Sequence, residues 1–132
     1  MNAPTKTGLR WTRDLLRFQQ HCKIAEPGDQ SVLIREASHL FPDAAQEVGL
    51  ELPRLDEYAL EGMLMLRAFE SAVIALVGPQ TNYLLSKGSD VAAASVVLPG
   101  SGEKSGVADT IAIAMLSATT AALIGLAERR WG

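Results

Sequence analysis

Residues Val107 to Ala127, VADTIAIAMLSATTAALIGLA, form the longest apolar run in the chain, with Asp109 as their only charge. A Gly/Ser-rich loop, Gly100 to Gly106, introduces the run, and Glu128-Arg129-Arg130-Trp131 closes it. A segment of this length and composition is either the central buried helix of a domain or a bilayer span. That choice decides the broad class.

Length and the terminal Arg129, Arg130 and Trp131 suit a membrane-associated protein with 107–127 as its span. Asp109, Thr110, Ser117, Thr119 and Thr120 suit it poorly. A positive C-terminal end that stays cytoplasmic would also force everything before the run across the bilayer, with no signal. A second apolar segment, Leu55 to Val77, offers a partner of similar length, and the core reading is favoured. Ala114, Ala118 and Ala122 recur at steps of four, as do Ser117, Ala121 and Gly125. Their small side chains make a narrow face on which another helix can lie close.

The rest of the chain reads as helices. Trp11, Leu15, Phe18 and Cys22 fall on one face of a first helix over 8–25, which stops at Glu26-Pro27-Gly28. A second runs from Asp29 or Ser31 to Phe41, and Pro42 opens a short one to Val48. Helix 55–77 carries Asp56 and Glu57 in its first turn and the run Met63-Leu64-Met65-Leu66, apolar nearly all round and therefore expected to be covered on more than one side. Gln80 to Ser86 reads as a short helix. Val91 to Leu98 is ambiguous, since Ala92-Ala93-Ala94 favours helix and Val96-Val97-Leu98 favours strand; with no strand partner in sight, helix is preferred.

Aromatics make up only 5% of the chain, so its core is built from aliphatic residues and Ala, as in helical packings. The expected fold is therefore all-α: a compact bundle of about five to six helices around two long apolar ones, 55–77 and 107–130. At 132 residues it is expected to be a single domain, 1–132, with 1–7 a loose N-terminal arm. The lone Cys22 makes no intrachain disulfide, and the polar N-terminus lacks an apolar signal core, so a cytoplasmic protein is expected.

Charge is unevenly placed. Met1 to Lys23 carries five basic residues against Asp14, whereas Ile24 to Glu70 carries ten acidic and three basic ones. The two regions are expected to attract each other across the fold. On the first helix, Arg10, Arg13 and Arg17 form an exposed basic strip, the best candidate for binding an acidic protein surface. Nucleic acid is disfavoured as its partner, because the chain as a whole is acidic and Trp11 belongs to the apolar stripe.

Signs of chemistry are weak. With Lys104 as a phosphate-loop lysine, glycines are required at 98 and 103, where Leu98 and Glu103 stand. Glu36 and His39 have the i, i+3 spacing of carboxylate-bridged metal helices, but His21 has Phe18, not Glu, three residues before it. Cys22 sits in an apolar stripe, and the pair Glu57 and Glu61, with Asp56 and Glu70 nearby, fits a dipole-complementing surface better than an acid–base site. No catalytic residue, metal or cofactor is therefore assigned. The low charge of residues 88–127 points to self-association through Ala118, Ala121 and Gly125. The functional expectation is a small helical interaction or assembly component, with a metal or enzyme site at Glu36, His39 and the acidic residues of helix 55–77 as the alternative.

Overall fold

The computed structural model describes the backbone of residues 6–131; residues 1–5, most of the expected N-terminal arm, lie outside the described residues. Its elements are α1 (Lys6–Ile24), a 3₁₀ turn (Pro27–Asp29), α2 (Gln30–Glu47), α3 (Glu57–Met65), α4 (Phe69–Val77), β1 (Asn82–Lys87), β2 (Ala92–Val97), β3 (Lys104–Ala108) and α5 (Ile111–Trp131). The all-α expectation is wrong. Residues 82–108 form a three-stranded antiparallel meander, β1-β2-β3, where helices over 80–86 and 91–98 were expected.

The apolar run does fold as the central helix, but it starts later than its hydropathy suggests. Val107 belongs to β3, and α5 begins after Thr110, whose hydroxyl accepts the Ile113 N–H at 3.2 Å. One side of α5 carries the sheet, packing on β2 and β3, and the other side meets α1, α2 and α4. Its polar residues are compatible with that burial, because Thr119 and Thr120 donate to the carbonyls of Met115 and Leu116 in the preceding turn at 2.8 and 2.7 Å. The helix is long and apolar enough to cross a membrane, yet two-thirds of its apolar window (67%) is buried inside the chain.

The small-residue face of α5 receives a strand. A Cβ built on Gly106 of β3 would stand 2.8 Å from the Ala118 nitrogen and 3.0 Å from the Ser117 Cβ, so only glycine lets β3 lie this close. In β2, Ala92, Ala94 and Val96 point to α5 and are buried, alternating with half-buried Ala93, Ser95 and Val97.

Two further departures concern the helices. The expected break at Pro42 does not occur: α2 runs through it, with Phe41, Pro42, Ala44 and Ala45 all buried. Phe41 meets Phe18 of α1 edge-on, ring centroids 5.7 Å apart, which pins the two helices together. Conversely, the expected helix 55–77 is two helices. Arg67 adopts a left-handed backbone (φ 58°), its N–H donates to Leu64 O at 3.0 Å and the Ala68 N–H to Met63 O at 2.9 Å. This pair of bonds is a Schellman ending, which stops α3 with an arginine where glycine is usual.

Candidate functional site

Two successive residues of α2 reach in different directions, one to α1 and one to α3. Glu36 faces α1, its carboxylate 3.6 Å from His21 Nδ1. Arg35 faces α3 and donates to both oxygens of Glu61 at 2.8 and 2.9 Å. That paired hydrogen bonding holds the Glu61 carboxyl below its ordinary range and raises Arg35 above its own.

Between α1 and α2 is a shallow cleft of about 280 Å³ where Trp11, Asp14 and Arg17 meet Glu36, His39 and Asp43. Three of the sequence candidates, Arg17, Glu36 and His39, thus converge. Arg10 turns aside: it pairs with Asp14 of its own helix at 3.9 Å, and its guanidinium sits 4.9 Å from the Trp11 ring centre. Arg13 is exposed. Among the described residues, no arginine of α1 forms an ion pair with an acidic group outside α1, and no group of three His, Cys, Asp or Glu side chains has metal-site spacing. The basic and acidic regions therefore do not neutralise each other through ion pairs of those arginines.

A larger open groove, about 850 Å³, runs along the other end of α2, between the 49–54 connector and the α4–β1 turn. Pro42, Pro53, Pro79 and Pro99 line it, with Glu51 and Arg54 as its titratable groups. Arg54 is already engaged by Asp43. Gly78 (φ 83°) shapes the wall, since a Cβ there would lie 2.9 Å from Pro53 Cδ. The groove offers no nucleophile beyond Thr81, whose hydroxyl is buried and donates to Val77 O at 2.6 Å.

No known family model, characterised protein or solved structure matches this chain.

Of the residues expected to bind a partner, Ala118 is fully buried beneath β3, while Ala121 and Gly125 are half-buried. The Lys104 side chain lies across Gly125: a Cβ there would stand 3.3 Å from Lys104 Cε. Cys22 is buried, and burial, reinforced by the negative charge of Glu36, pushes its thiol up to about 12. It stays protonated at neutral pH and is no nucleophile.

Exposed apolar side chains that the periodicity did not single out gather in two places. On the helical side, Tyr58, Met65 and Leu66 of the α3 region are 89, 84 and 82% exposed, with Leu16, Ile24 and Val32 also exposed on α1 and α2. Met63 to Leu66 is thus covered on one side only, through Leu64 and half-buried Met63. On the sheet side, the face turned away from α5 consists of Asn82, Leu84 and Ser86, then Ala93, Ser95 and Val97, then Ser105 and Val107. None is charged, and Leu84 and Val107 are 77 and 65% exposed. The Ser95 and Ser105 hydroxyls bond each other at 3.1 Å. Strand alternation would have marked this face, had 82–87 and 92–97 read as strands.

Proposed function

We propose that this chain is a protein-interaction domain that self-associates as a component of an assembly. The observation that carries the reading is the gathering of large exposed apolar side chains, Tyr58, Met65, Leu66, Leu84 and Val107 among them, on two ordered faces on either side of α5. Several large apolar side chains left exposed on the ordered faces of a small domain support an interaction site. A protonated, buried Cys22 and a proline-lined groove whose two titratable groups are Glu51 and Arg54 support recognition over chemistry.

Sedimentation equilibrium over a wide concentration range tests the reading. The expected result is a mass above the 14.1 kDa of one chain, falling on dilution. A mass of one chain at every concentration would overturn it.

A further inference from the structure

The outward surface of α1, α2 and α3 has a charge pattern that is its own complement. On one side of α2, residues 10–23 carry Arg10, Arg13, Arg17 and Lys23 against Asp14. On the other, α3 with its cap, the turn after it and the first turn of α4 carry Asp56, Glu57, Glu61 and Glu70 against Arg67. The diverging contacts of Glu36 and Arg35, about 100° apart around α2, put basic α1 and acidic α3 on either side of its outward ridge. A two-fold axis through α2 therefore lays the basic helix of one copy over the acidic helix of another, and does so twice.

We propose that a second copy of this chain occupies this surface, as a closed two-fold dimer with α1 opposite α3 in both directions. The proposal rests on the self-association reading and names its interface. Area favours this face over the sheet. By length alone, the outward sides of α1, α2 and α3 (19, 18 and 9 residues) present a footprint on the order of 600 Å², against roughly 250 Å² for a three-stranded sheet face. A stable interface takes about 800 Å² of accessible surface from each partner, which the helical face approaches and the small sheet face does not. Apolar contact comes from Leu16 and Ile24 on the basic side and Tyr58, Met65 and Leu66 on the acidic side. Gly62 on α3 is exposed, with nothing within 4 Å of where its Cβ would be.

The test is a charge swap in the full chain, read as mass by sedimentation and light scattering, with circular dichroism confirming the fold of each variant. The wild type is expected to be a dimer of the 14.1 kDa chain. Arg13→Glu with Arg17→Glu puts acid against acid, and Glu57→Lys with Glu70→Lys puts base against base; each is expected to weaken dimerisation by about tenfold or more. Mixing the two variant chains is expected to restore a dimer, since both contacts of the mixed pair are again complementary. Asp90→Lys with Glu103→Lys, the same charge change placed in the exposed loops on either side of β2, is expected to leave the dimer intact. A dimer insensitive to the swaps, or swap variants that do not recombine, overturns this interface while leaving self-association standing. A monomeric wild type overturns both.

Discussion

Gly106 of β3 rests directly on Ala118 of α5: a Cβ at 106 would stand 2.8 Å from the Ala118 nitrogen. The contact joins the sheet to the central helix backbone to backbone, and the space for a methyl group does not exist. Gly106→Ala is therefore expected to destabilise the fold by about 2–3 kcal/mol, because strand or helix must shift. Gly102→Ala, with nothing within 4 Å, is the control and is expected to change stability by less than about 0.5 kcal/mol. Urea unfolding of both variants measures this, and equal stabilities would mean that β3 does not lie on α5.

Arg67 carries the second prediction. Its left-handed backbone costs a non-glycine residue about 1–2 kcal/mol, partly offset here by its guanidinium 5.6 Å from the Phe69 ring centre. Arg67→Gly is expected to raise stability by up to about 1 kcal/mol, and Arg67→Val to lower it. Loss of stability in the glycine variant would show that the Schellman ending between α3 and α4 is not formed.

The same ending also explains what was legible in the sequence. α2 stops with identical bonds, Leu50 N–H to Ala45 O and Gly49 N–H to Gln46 O, but there the left-handed residue is a glycine and the stop was visible. Between α3 and α4 no glycine or proline marks the turn, so the two helices read as one. The helices α1 and α5 and their buried faces were visible from apolar spacing. The sheet was not. Ala92-Ala93-Ala94 has helical propensity, and only the close approach of α5 makes small residues the right ones for a central strand. Gly106 read as part of a loop for the same reason. Of the candidate site, the basic strip of α1 was legible from its charges, whereas the exposed Tyr58, Met65 and Leu66 were not, because an apolar run does not say which of its sides is covered.

Cys22 yields a pH prediction. Its thiol titrates near 12 in the fold and near 8.5 when unfolded, so above pH about 8.5 the unfolded chain loses a proton that the folded chain keeps. Stability is present below that value and lost as pH rises toward the folded one, by up to about 1.4 kcal/mol per pH unit. The slope of unfolding free energy between pH 8.5 and 10 is expected to be steeper in the wild type than in Cys22→Ala, the difference isolating the thiol from other groups. Parallel slopes would place Cys22 in water, as would rapid alkylation of the native protein.

Glu61 gives the converse case. Arg35 donates to both of its oxygens, and those bonds, reinforced by the opposite charge, hold its carboxyl below the usual range near 4.3. The contribution of this pair is present above the unfolded carboxyl value and is lost as pH falls through the lower folded one. Because both side chains are exposed, the pair orients α3 on α2 more than it stabilises the fold. An NMR titration of the Glu61 side chain is expected to show a midpoint below that of a free glutamate, and Arg35→Met is expected to return it to the ordinary range with little change in unfolding free energy. A wild-type Glu61 that titrates like a free glutamate would mean that the bridge between α2 and α3 does not persist in solution. It would also remove one of the two contacts by which α2 reaches α1 and α3.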